Sequence, residues 1–176
     1  MPELDKKQSR EEDIFMDGED DEDTQANKYL IFKIQEECYG VEIRFINEII
    51  ELQKITTVPE MPAFVKGVIN LRGKVIPLID LRSRFKIPER PYDDRTCVII
   101  INFRDSEVGF IVDYVEEIVD IPAQEIVPPP QFKGEGNSGK DYIKGLGKTG
   151  EVINIILDVE KILQQDEIAV LKIDLK

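Results

Sequence analysis

The chain has 176 residues, enough for one domain or two small ones with a real core, and its 23 basic against 36 acidic residues give a net charge of −13. Such an acidic chain is a poor partner for nucleic acid, whose phosphates reward clustered Lys and Arg, and an anionic membrane surface repels it. The lack of histidine removes the usual general base, the commonest metal ligand and the phospho-accepting side chain of a two-component kinase, and no apolar run approaches the roughly 20 residues of a membrane span.

From the N-terminus, residues 1–27 carry eleven acids against three bases, which places eight of the thirteen excess negative charges there. With DGEDDED in it and few apolar residues, the segment cannot bury enough surface to offset chain entropy. It reads as a disordered acidic extension. MPELDKKQSREED has no apolar signal core, so the expected location is the cytoplasm.

Beyond residue 27 the chain consists of short β-branched runs punctuated by glycine, proline and acidic turns, which is strand chemistry. Strands are predicted at 29–35, 40–45, 48–53, 67–71 and 74–79, followed by a helical turn at LRSRF after Asp80. A second set is predicted at 97–103, 108–113, 116–121, 143–146 and 151–157. Asp158 then caps a helix whose apolar stripe is Val159, Ile162 and Leu163, and residues 166–176 form a helical tail.

The two sets are copies. A shift of 69 lays KYLIFKIQEECYGVEIRFINEIIEL (28–52) on CVIIINFRDSEVGFIVDYVEEIVDI (97–121), with Gly40 on Gly109 and Glu48 on Glu117. After a nine-residue insertion the register resumes at 78, where FVKGV (64–68) falls on YIKGL (142–146) and Gly67 on Gly145. Five short strands per copy suggest a pair of small barrels, since closure removes exposed edges. Runs such as VIII at 98–101 are apolar on both faces, so the barrels are expected to pack on each other.

Motifs that suggest chemistry fall short on inspection. GEGNSGKD (134–141) nearly spells a phosphate loop, but Asp141 stands where a magnesium-binding hydroxyl belongs, and no strand or helix pattern flanks it. GKT at 147–149 has Tyr142 in place of the first glycine, and DGEDDED lacks calcium-loop spacing. Cys38 and Cys97 show no CxxC spacing and read as small apolar residues at strand ends. No catalytic residues, metal ligands or cofactor site are expected.

Comparing the copies separates architecture from use. Gly40/Gly109, Gly67/Gly145 and Glu48/Glu117 recur, so the barrel itself accounts for them. Arg72 does not recur, because GVINLRGK faces GLGKTGEV. It is either a turn arginine reaching solvent or a guanidinium held by a carboxylate beside a binding groove. PPPQF (128–132) is also confined to one copy, and Phe132 either covers the second barrel's core or is a preorganised contact.

YGVEIRFINEI (39–49), ITTVPEMPAFVKGVINLRGKVIPLIDLR (55–82), EVGFIVDYVEEI (107–118) and YIKGLGKTGEVINIILDVEKIL (142–163) resemble the CheW family of chemotaxis coupling proteins. The resemblance implies a mainly all-β fold of two five-stranded SH3-like β-barrel subdomains packed on each other, with a short C-terminal helix. The domain would cover 28–165, with a first repeat at about 28–85 and a second at about 96–158, leaving open an exchange of strands between subdomains. It further implies a non-catalytic adaptor, monomeric when free, that couples chemoreceptor tips to the histidine kinase CheA. A module serving another two-component sensory system is the alternative. On matching positions, receptor binding would fall on Ile46, Glu48, Gly67, Arg72, Gly73, Gly109 and Gly145, with Glu48 paired to Arg72. The kinase contact would include Gln131 and Phe132. Neither nucleic acid nor membrane insertion is implied.

Overall fold

The β-branched runs form strands in the computed structural model, which describes residues 26–130 and 142–163. In chain order these are β1 (Lys28–Ile34), β2 (Glu37–Glu42), β3 (Ile46–Glu51), β4 (Val65–Leu71) and β5 (Lys74–Asp80), then a one-turn helix α1 (Leu81–Arg84). The second copy supplies β6 (Cys97–Phe103), β7 (Ser106–Val112), β8 (Tyr114–Asp120), the short β9 (Ile126–Val127), β10 (Ile143–Thr149), β11 (Val152–Leu157) and α2 (Val159–Leu163). The 134–141 glycine-rich stretch, the 166–176 tail and the acidic extension up to residue 25 lie outside the described residues.

The fold is mainly β, in two barrel-like sheets that pack on each other. One sheet, A, has the order β8-β1-β2-β11-β10-β9, and the other, B, has the order β3-β6-β7-β5-β4. Sheet A has six strands rather than five because β9 adds a two-residue edge to β10. Neither sheet is made from one copy. β1 and β2 of the first copy sit in sheet A among strands of the second, while β6 and β7 of the second sit in sheet B among strands of the first. The crossings are closed by parallel pairs, β2 with β11 and β5 with β7.

Three cores follow from this arrangement, and the VIII run shows how. Val98 and Ile100 point into the interior of sheet B with Ile69, Leu71, Ile76, Leu78 and Ile111. Ile99 and Ile101 point the other way, into a larger core between the sheets with Phe32, Val41, Phe110, Ile162 and Leu163. Tyr29, Ile31, Cys38, Ile121 and Ile156 fill sheet A. A strand flanked by two cores must be apolar on both faces. Each fully buried aliphatic side chain here contributes about 1.5–3 kcal/mol of transfer free energy.

α2 closes the inter-sheet core with its apolar stripe, and Asp158 caps it by accepting the Lys161 N–H at 3.1 Å. α1 is capped by Asp80, whose carboxylate accepts the Arg82 N–H at 2.9 Å. The side chain of Arg82 then forks onto Asp113, with Nε at 2.9 Å and Nη2 at 2.7 Å. Asp113 also accepts the Gln35 N–H at 2.7 Å, while its own N–H donates to Lys33 O. One buried ion pair thereby joins the end of β5 in sheet B to the β1–β2 turn in sheet A. Arg82 and Tyr92 hold down the link between the copies, through Arg82 Nη1 to Pro88 O and Tyr92 Oη to Asp80, both at 2.7 Å. Burial and the Asp80 hydrogen bond push the Tyr92 phenol well up from its ordinary value.

Candidate functional site

The turn in NLRGKV is a two-residue hairpin: Leu71 pairs with Lys74, and Arg72 and Gly73 form the loop with φ of +52° and +87°. Two positive φ values match the primed turn whose twist suits a hairpin, and glycine at the second position lowers its strain. Asn70 Oδ1 braces the loop by accepting the Gly73 N–H at 2.9 Å. Arg72 thus stands at the tip of a rigid hairpin rather than on a strand face.

From there its guanidinium forks onto Glu48 of β3, Nη1 to Oε2 at 2.8 Å and Nη2 to Oε1 at 2.7 Å. Bidentate geometry of this kind fixes orientation as well as charge. The hydrogen bonds from Arg72 hold the Glu48 carboxyl below its ordinary value, and Glu48 in turn raises Arg72. β3 and β4 are the two edges of sheet B, so the pair bridges one rim of that sheet to the other.

A second ion pair lies beside it. Glu107, at the start of β7, accepts from Lys74 Nζ at 3.1 Å and from Asn47 Nδ2 at 2.9 Å. Those two hydrogen bonds, Asn47 first, keep its carboxyl below the ordinary value.

The register explains the residues that recur between copies. Glu48, Ile100, Gly109, Leu78 and Gly67 are successive partners in one row across sheet B. Glu117, Ile31, Gly40, Ile156 and Gly145 form the equivalent row across sheet A. Each glutamate and each outer glycine in these rows follows a register shift, so both sheets bend at corresponding places. The glycines are demanded by packing. A Cβ on Gly109 would lie 2.5 Å from Leu78 and 2.7 Å from Val98, and one on Gly145 would lie 2.6 Å from Ile126.

Gly67 is the tightest case. At φ +141° its Cβ would stand 2.2 Å from the Thr56 carbonyl oxygen, because residue 56 pairs with Val68 through hydrogen bonds of 2.8 and 2.9 Å. Gly67→Ala is expected to cost about 2–3 kcal/mol through strain and overpacking. Thermal unfolding followed by circular dichroism would register it as a drop of several degrees, and an unchanged midpoint would show that residues 55–57 shift aside without penalty.

Of the seven receptor-site candidates, the structure gathers six on sheet B: Ile46, Glu48, Gly67, Arg72, Gly73 and Gly109. Gly145 belongs to sheet A, in the row of Glu117 and Gly40. Gln131 and Phe132 lie outside the described residues. Cys38 is buried and Cys97 is partly exposed, and both are free thiols. Sequence reasoning missed Asn47, Lys74 and Glu107, which read there as ordinary surface polar residues. The available signal was again the comparison of copies, since Lys74 falls on Val152 and Glu107 on Cys38. Among the described residues no group of three or more His, Cys, Asp or Glu could hold a metal ion, and no helix is long and apolar enough to cross a membrane.

The described residues thus define a mainly β module of two interleaved sheets, with an exposed forked ion pair and exposed Ile49 and Val75 on sheet B. Comparison with known proteins gives that class a family. The model of the CheW-like domain matches residues 28–167, and the chain belongs to that family. It is 38% identical over 147 residues to the chemotaxis protein CheW of Klebsiella aerogenes, covering 84% of this chain and 87% of that one. It is 31% identical over 141 residues to CheW of Treponema pallidum, covering 78% and 82%. Among solved structures, the scaffolding protein TtCheW of Thermoanaerobacter tengcongensis superposes with a TM-score of 0.71 at 34% identity, covering 80% of this chain and 90% of that one.

Proposed function

We propose that the chain is a cytoplasmic adaptor that couples the helical tips of chemoreceptors to the histidine kinase CheA in chemotaxis signalling. The observation that carries this reading is the Glu48–Arg72 fork: it is exposed, bidentate and present on only one of two otherwise matching sheets. A structural pair needed by the barrel would recur at Glu117, where Gly150 occupies the place of Arg72. A receptor hairpin laid against sheet B would meet apolar anchors at Ile46, Ile49 and Val75, with the fork fixing its direction.

The kinase is assigned to sheet A. Its edge strand β9 leads through Pro128–Pro130 to Gln131 and Phe132, and Ile118, Val127, Val152 and Ile153 of this sheet are exposed apolar residues. Separate surfaces let one small domain hold both partners at once, as coupling requires.

The test is a three-component pull-down with a receptor tip fragment and the regulatory domain of CheA from the same organism. Tagged receptor fragment is expected to retain the kinase domain only when this chain is added. Retention without it, or binding of this chain to neither partner, would sink the reading.

A further inference from the structure

Position-by-position comparison of the two sheets isolates Lys74 together with Arg72. The shift of 78 lays Arg72 on Gly150 and Lys74 on Val152, so sheet A has neither cation. In sheet B both cations are the outer members of their pairs. The side chains of Arg72 and Lys74 are 69% and 73% exposed, whereas those of Glu48 and Glu107 are 30% and 19% exposed. The carboxylates lie beneath and the cationic ends face outward.

Donor counting points the same way. Glu48 takes two of the five N–H donors of Arg72, and Glu107 takes one of the three of Lys74. Both oxygens of Glu48 accept from Arg72, and the oxygens of Glu107 accept from Lys74 and Asn47. The donors left over sit on the exposed cationic side chains, whereas the carboxylates, which keep spare lone pairs, are the less exposed members of both pairs.

We propose that Lys74 is a second partner contact, and that with Arg72 it forms a two-pronged cationic grip selecting carboxylate side chains on the docking helix. The proposal rests on the receptor-coupling reading and names the chemistry of the surface that docks there: an acidic helical face. The net charge of −13 sharpens the choice. An extended polyanion such as a membrane or nucleic acid is repelled by the rest of the chain, whereas one helix can place a few carboxylates on the two exposed cations alone.

The experiment is calorimetric titration of a chemoreceptor hairpin-tip fragment into full-length protein at about 50 and about 300 mM salt, a range over which exposed charges become screened. Lys74→Glu is expected to weaken binding by about tenfold or more, Lys74→Gln by about threefold with a shallower salt dependence, and Lys74→Arg to retain it. All three should keep the wild-type melting temperature, because the side chain is exposed. If Lys74→Glu binds as tightly as wild type with the same salt dependence while Arg72→Glu does not bind, the grip is wrong and the coupling reading stands. If Arg72→Glu also binds normally, both cations leave the site and the grip is wrong, whereas failure of the wild-type protein to bind the fragment would sink the coupling reading itself. Binding of wild-type protein to phosphatidylserine vesicles that Lys74→Glu abolishes would overturn the acidic helix in favour of a membrane.

Discussion

Arg72→Glu is expected to abolish capture of a receptor tip fragment, a loss of about a hundredfold or more in affinity, while leaving the fold intact. The first half follows from the geometry of the fork. Reversal removes both hydrogen bonds to Glu48 at 2.7 and 2.8 Å and sets two carboxylates against each other at the rim. The second half follows from exposure, since the Arg72 side chain is 69% open to solvent and its hairpin is braced independently by Asn70. The melting temperature should stay within about 2 °C of wild type, because exposed ion pairs contribute little to stability. Arg72→Lys is the informative companion: it keeps the charge and loses the planar fork, so its binding should fall between the two. Pull-down of receptor by Arg72→Glu at the wild-type level would remove Arg72 from the site.

Asp113→Asn is expected to produce the reverse pattern, a large loss of stability at a position far from solvent. Arg82 and Asp113 are 9% and 8% exposed, and removing one partner of a buried pair leaves the other charge uncompensated, at about 3–5 kcal/mol. For a domain of this size that corresponds to a fall in melting temperature of about 10–15 °C. Burial alone would raise the Asp113 carboxyl, but hydrogen bonds from Arg82 and the Gln35 N–H, with Arg90 nearby, outweigh it and hold the group below its ordinary value. A carboxyl whose folded value lies below its unfolded one stabilises fully above the unfolded value of about 3.9, and the contribution fades as pH falls through the folded value. Wild type should therefore lose stability steeply below about pH 4, and the variant should lose less over the same range. Urea unfolding at pH 7 and at about pH 3.5 measures both quantities. A variant as stable as wild type at pH 7 would show that the inter-sheet staple contributes nothing net.

Much of the strand content was legible because it is local. Alternation, β-branching and turn chemistry place β1, β6, β7 and β11 close to their observed ends, and the double-sided VIII run announced two cores around one strand. Which sheet each strand joins is decided by pairings far apart in the chain, such as Ile46 with Ile101 and Lys28 with Asp120, and no local pattern records them. At the site, comparing copies isolated Arg72 and family resemblance suggested Glu48 as its partner. Asn47, Lys74 and Glu107 escaped because a surface charge acquires a role only from its neighbours in space. Arg82 and Asp113 escaped for the same reason, each looking like an ordinary polar residue beside a strand.

The interleaving of the copies has a consequence for the order in which the protein can fold. When the first copy leaves the ribosome, β1 and β2 have neither β8 nor β11 to pair with, and β3 lacks β6. Sheet B lacks β6 and β7 until Val112 has been made, and sheet A is not complete until β11 has been synthesised, close to the end of the domain. Both sheets thus depend on contacts of high sequence separation that the first copy alone cannot make, which favours slow folding late in synthesis. A chain cut between Lys86 and Cys97 would yield two halves that are each incomplete, and they would have to be reunited before either could hold a sheet.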